Sequence, residues 1–339
     1  MRPFFRICGS ALFVAFILGL VACALYFNYL MLPPDASSEE TVVVEIPRGA
    51  TTRDIAVILY EKGLIKHPDL FRILVSVKGL GQSLKAGEYL LTKNMYASEI
   101  AERLVEGKVI TYPLTVPEGL TLPEIARIIA DQGWADYDTF LRLVDESQLN
   151  REFLPEGVEL IRPMEGYLAP DTYRFARGES ELVIIRTMYE RTRAIFDKER
   201  LDRAKELGMT VHEVLTLASI IEKEAVIDEE RPTISAVYHN RLKIGMKLDA
   251  DPTVLYSLGR TGGLLTFQDL EVTSPYNTYR HGGLPPGPIA APGEKSIDAA
   301  LYPADVPYLY FVSKNDGSHA FARTYREHLQ NVQKYQSGG

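Results

Sequence analysis

The sequence predicts an α+β protein with an N-terminal transmembrane helix, a small β-α-α-β subdomain and a larger mixed α+β domain. Three observations carry this reading. No charged residue occurs from Ile7 to Phe27. A strand–turn–helix pattern occurs twice at a constant offset, and further on helical periodicities alternate with long loops rich in Pro and Gly. The 339 residues suit about two domains. With 46% hydrophobic and 24% charged residues, wholesale disorder is excluded. The 37 basic and 45 acidic residues give a formal charge of −8, and there is no long basic run, which argues against nucleic acid as a partner. Both cysteines, Cys8 and Cys23, fall in the first 32 residues, so the remainder has no disulfide, thiol nucleophile or cysteine zinc site.

Residues 1–6 read as a cytoplasmic tail and residues 7–32 as a signal anchor. At about 1.5 Å per residue, that apolar stretch is long enough to cross a hydrocarbon core of roughly 30 Å. Arg2 and Arg6 precede it and no Lys or Arg follows until Arg48, which places everything after Pro33 outside the cytoplasm. Leu20-Val21-Ala22-Cys23 resembles a lipobox, but Ala24 to Leu32 stays hydrophobic where a mature lipoprotein turns polar. An uncleaved single-pass anchor in the cytoplasmic (inner) membrane is the reading preferred.

Residues 33–41 form a polar tether containing PPDASSEE. Residues 42–110 make the small subdomain: a strand and turn from Val42 to Gly49, a helix from Thr51 to Leu59, a returning strand from Lys85 to Leu91 and a closing helix from Ser98 to Glu106. Ile46-Pro47-x-Gly49-x-Thr51 returns as Val116-Pro117-x-Gly119-x-Thr121, and Gly63 returns as Gly133. This suggests one unit used twice, although a strand, a Gly turn and an amphipathic helix also converge easily. Residues 111–336 form the larger domain, with an aromatic-rich loop or strand at 165–175 and a helix over 181–206.

Thr210 and Glu213 form a capping box that opens a helix running through Leu217, Ile220 and Ile221 to Glu222-Lys223-Glu224. The two glutamates point about 200° apart on a helix. Glu224 follows Ile220 and Ile221 at i−4 and i−3 and continues the apolar stripe, whereas Glu222 falls on the polar side as a solvated charge, with Arg or Lys as the type of partner to expect. Desolvation raises a carboxyl's pKa toward the range of a general acid, as glycosidic cleavage requires. Periodicity alone leaves two readings of Glu224 open, a catalytic acid or a helix end where the apolar pattern fades.

A second helix begins near Pro232 and ends near Gly245, bringing Asn240 and Arg241 close to its turn. Beyond it, Tyr, Asn and Asp in long loops offer flat faces and polar groups suited to a carbohydrate groove. Asn240, Asp251, Tyr276, Asn277 and Tyr279 are the candidate substrate-binding residues. No G-x-S-x-G elbow or H-E-x-x-H pair occurs, and Gly259 to Gly263 lacks phosphate-loop spacing. His319 and His328 read as structural or groove-lining. No metal or cofactor is called for.

Six segments occur in an order that resembles the YceG-like family: Leu217 to Ala225 (LASIIEKEA), Asn240-Arg241-Leu242, Leu248 to Tyr256, Ser274 to Tyr279 (SPYNTY), Gly283 to Ile289 (GLPPGPI) and Gly317-x-His319-x-Phe321. The resemblance covers nearly the whole chain. It implies a LysM-like fold for the small subdomain and an endolytic peptidoglycan lytic transglycosylase facing the wall, with the family's catalytic glutamate falling on Glu224. The implied substrate is the β-1,4 bond between N-acetylmuramic acid and N-acetylglucosamine in nascent strands, cleaved to a 1,6-anhydro end. Implied partners are glycan strands and the peptidoglycan synthases of elongation or division. Two rivals stay open: a lysozyme-like hydrolase using Asp251 or Asp249 beside Glu224, and a non-catalytic wall-binding anchor.

Overall fold

A computed structural model describes residues 16–22, 25, 26 and 28–336. Much of the expected anchor, with Cys8 and Cys23, lies outside the described residues. Among the described residues, no helix is long and apolar enough to cross a membrane. The remainder is mixed α and β, as expected. The chain divides into two compact units: Met1–Tyr112 with Arg174–Arg177, and Pro113–Tyr173 with Gly178–Gly339.

In the first unit, β1 (Thr41–Ile46) pairs antiparallel with β2 (Gly87–Thr92), from Thr41 opposite Thr92 to Ile46 opposite Gly87. Alternation turns Val44 and Ile46 inward, where they pack with Leu59, Phe71, Tyr89 and Leu104. Between the strands run α1 (Thr52–Glu61) and α2 (Pro68–Val77), and α3 (Ala97–Glu106) follows β2. The turn into α1 needs Gly49 at φ +80°, and Thr51 and Asp54 then close a reciprocal capping box.

The same local design recurs seventy residues on. β3 (Tyr112–Val116) leads through Gly119 at φ +75° to the Thr121–Glu124 capping box of α4 (Leu122–Asp131), and α5 (Tyr137–Ser147) follows. β3 then pairs with β4 (Asp171–Phe175), so the segment expected as a loop or strand at 165–175 is a strand in its second half. The single helix expected over 181–206 is two, α6 (Glu181–Ile195) and α7 (Lys198–Glu206). Asp197 breaks the run, its side chain accepting from Arg200 N as the N-cap of α7.

The centre of the second unit is α8 (Val211–Glu224), buried from His212 to Ile221 apart from Glu213. It packs against α7, α9 (Arg231–Lys243), α10 (Asp251–Ser257) and α11 (Glu294–Leu301). α10 lies where a loop was expected. Pro252 sits in its first turn, where a missing N–H costs nothing, and Thr253 Oγ1 donates to Ala250 O to seat the start. The hairpin β5 (Tyr310–Ser313) and β6 (His319–Ala322) packs with α12 (Tyr325–Gln336).

Candidate active site

Glu224 is the last residue of α8, and Ala225 leaves the helix in extended conformation. Its carboxyl reaches a cavity of about 430 Å³ lined also by Arg241, Asp251, Tyr279, Tyr310, His319 and Tyr325. The side chain is only partly accessible, through this cavity, and is otherwise enclosed by protein. Burial pushes the Glu224 carboxyl up to about 7, and the negative charge of Asp251 adds to the rise. Two groups oppose it: Tyr238 Oη donates to Glu224 Oε1 at 3.2 Å, and Arg241 contributes positive charge. A carboxyl in this range is protonated often enough at neutral pH to donate, and ionised often enough to accept.

The surrounding parts are rigidly placed. Arg241 is buried and donates to the carbonyls of Lys247, Leu248 and Leu309 and to Asp249 Oδ2, tying the segment before α10 to the start of the hairpin. Asp249 holds φ +46°, an unfavourable conformation for a residue with a Cβ, at a cost on the order of 1 kcal/mol. Tyr279 Oη donates to Asp251 Oδ1 at 2.5 Å. Tyr310 lies parallel to His328 at 5.2 Å, giving the cavity an aromatic wall of the kind that sugar faces pack against.

Of the candidate substrate-binding residues, the structure brings Asp251 and Tyr279 together with Glu224. The other three lie elsewhere. Asn277 is fully buried, its amide donating to Leu270 O and Val272 O and its Oδ1 accepting from Tyr279 N, so it shapes the loop and offers nothing to a ligand. Tyr276 is equally buried against Tyr256, ring centroids 5.2 Å apart. Asn240 Nδ2 donates to Val306 O and Tyr308 O. These are corrections of the binding expectation: backbone carbonyls take up the amide hydrogens of Asn277 and Asn240, and Tyr276 is withheld by the burial of its ring and hydroxyl.

Glu222 also departs from expectation. It is not solvated, with a side chain only 7% exposed, and it pairs with Arg231 at 3.2 Å while accepting from Gly293 N and Ser296 Oγ. Because α8 is covered on nearly all sides, periodicity has no polar face to report. The partner was of the expected type.

Tyr238 reads in the sequence as one more apolar position of α9, and no motif there marks Tyr310 or Tyr325. His319 and His328, which read as structural or groove-lining, both line the cavity. Two other features could compete for attention. A larger cavity of about 1210 Å³ has mostly apolar walls, and its His212 and His239 are bound to Pro286 O and Ala300 O. Glu165 is buried and pushed up to about 8, but its oxygens accept from Leu122 N and Tyr256 Oη and it lines neither cavity. Among the described residues, no cluster of His, Cys, Asp and Glu could hold a metal ion.

Fold and site together define a mixed α+β protein with a buried, raised carboxyl in a cavity that has aromatic walls. The model of the YceG-like family matches residues 44–334. The chain belongs to that family. It is 38% identical to an endolytic murein transglycosylase of Bacillus subtilis over 92% of this chain and 89% of the relative. It is 30% identical to one of Streptococcus pneumoniae over 94% of this chain, which spans 63% of that longer relative. A crystal structure of a YceG-like protein from Listeria monocytogenes superposes with a TM-score of 0.59 at 39% identity, covering 86% of this chain and 99% of the other.

Proposed function

We propose that this chain is an endolytic murein transglycosylase in which Glu224 serves as acid and then as base. The observation that carries the reading is the Glu224 carboxyl, pushed up to about 7 in a cavity with aromatic walls. The names of the relatives support the substrate. Glu224 donates its proton to the oxygen linking N-acetylmuramic acid C1 to N-acetylglucosamine C4, and the C1–O bond breaks with oxocarbenium character. The muramoyl C6 oxygen then bonds to C1, and its proton passes to the Glu224 carboxylate. The glutamic acid is restored, no water is consumed, and the products are a 1,6-anhydromuramoyl end and a free 4-hydroxyl.

Residues 7–32 act as a single-pass anchor and residues 33–41 as a tether. A LysM-like unit at 42–110 and the catalytic domain at 111–336 then face the wall outside the cytoplasm. The uncharged run from Ile7 to Phe27 and the Arg2/Arg6 asymmetry support the anchor. Glycan strands are the substrate, and synthases making those strands are the natural partners of an endolytic cut that ends elongation. Asp251 and Asp249, which line the same cavity as Glu224, favour a hydrolase instead.

Purified uncross-linked glycan strands, digested with the full chain and weighed by mass spectrometry, decide between them. Anhydro ends that vanish with Glu224→Gln are expected. Reducing ends carrying added water, without anhydro ends, would reject transglycosylation.

A further inference from the structure

His319 stands out among the groups of the Glu224 cavity. The ring Nδ1 lies 2.7 Å from Glu230 Oε2, and the same carboxylate accepts from His319 N through both oxygens at 3.1 Å. A carboxylate can only accept, so Nδ1 carries a proton, and in the neutral ring Nε2 then presents its lone pair. Among the described residues nothing hydrogen-bonds Nε2, although the residue is only 9% exposed and lines the cavity. His212, by contrast, has partners at both nitrogens, Tyr167 Oη at 2.9 Å and Pro286 O at 2.7 Å, as a histidine placed for structure does.

The ring packs among aromatic neighbours. Phe311 meets it edge-on at 5.3 Å and 87°, and Tyr238 meets Phe311 edge-on at 5.9 Å and 89°. Tyr238 is also the donor to Glu224 Oε1, so a continuous wall of three rings joins His319 to the proposed acid. Glu230, Tyr238 and Arg241 are all supplied by α9 and the residue that precedes it, which fixes acid and histidine from one helix.

We infer that His319, held by Glu230, contacts substrate in the Glu224 cavity, its Nε2 accepting a hydrogen bond from a hydroxyl or acetamido N–H of the amino sugar. The inference rests on the reading of Glu224 as the acid of that cavity. It makes His319 a residue that binds and orients the sugar, with no proton transferred to it.

Two substitutions separate this role from a structural one. In His319→Asn, the amide N–H stands near Nδ1 and keeps the Glu230 bond, but the acceptor at the Nε2 position is gone. In His319→Gln, the amide oxygen reaches the Nε2 position, but the Glu230 bond is lost. The full-length variants are assayed on purified uncross-linked glycan strands by counting anhydro ends, with thermal melting recorded for each. The expected result is a His319→Asn protein that melts like the wild type yet loses tenfold or more in kcat/KM, mainly through KM, while His319→Gln stays within about threefold. Wild-type kinetics in His319→Asn, or equal losses in both variants that follow their melting temperatures, would overturn the inference. Glu224→Gln runs in parallel: activity surviving in that variant defeats the reading of the acid itself, whereas an inactive Glu224→Gln beside a fully active His319→Asn defeats only the role of His319.

Discussion

The Tyr238 hydroxyl donates to Glu224 Oε1 across 3.2 Å and so opposes the burial that raises the same carboxyl. A hydrogen bond to the ionised form favours ionisation, whereas the negative charge of Asp251 favours the proton. The two neighbours therefore act on Glu224 in opposite senses. Tyr238→Phe moves the alkaline limb of the kcat/KM profile upward, and Asp251→Asn moves it downward, each by roughly half a pH unit. Profiles for the two variants and the wild type check both signs.

In the wild type, donation needs the protonated carboxyl, and the carboxyl titrates at about 7. kcat/KM is level below that pH and falls about tenfold per unit above it. A flat profile from pH 6 to 9 contradicts the assignment.

Stability responds to the same group. Its folded-state pKa lies above the unfolded value of 4.5. The folded protein is thus favoured fully below pH 4.5, and that contribution drains away as pH rises through about 7. Glutamine carries no charge to bury, so Glu224→Gln is expected to be more stable than the wild type at pH 8, by on the order of 2 kcal/mol, with little difference at pH 4. Urea melts at the two pH values measure it.

The Glu222–Arg231 pair lies out of solvent, with side chains 7% and 8% exposed. Removing one partner strands a buried charge, so Arg231→Ala costs about 3 kcal/mol or more, read as a lower urea midpoint. Asn277→Ala likewise loses two donor bonds to Leu270 O and Val272 O. It is expected to lower stability by about 1–3 kcal/mol while the KM of the remaining folded enzyme is unchanged. A raised KM at full stability would restore Asn277 as a binding residue.

Local chemistry was legible in the sequence wherever one segment decides its own structure. The capping box read at Thr210 and Glu213 is present in the structure, and the repeated Gly49 and Gly119 turns both adopt positive φ. Ile220 and Ile221 pointed to a desolvated Glu224 but left a fading helix end equally open. Burial of Glu222 was not legible, because it depends on Arg231 and Ser296 approaching from other helices. Asn277 and Asn240 misled for a related reason, since nothing in a sequence says which carbonyls will take an amide. Tyr238 reached the site through the way α9 crosses α8, a fact of packing that no periodicity records.

The most direct test of the central claim is a carbon-13 NMR titration of the glutamate carboxyl signals in the wild type and in Glu224→Gln. A signal with a midpoint near pH 7 that is missing from the variant is expected. If the signal lost on substitution titrates between about pH 4 and 5, as solvent-exposed carboxyls do, Glu224 is not held as an acid and the proposed chemistry fails.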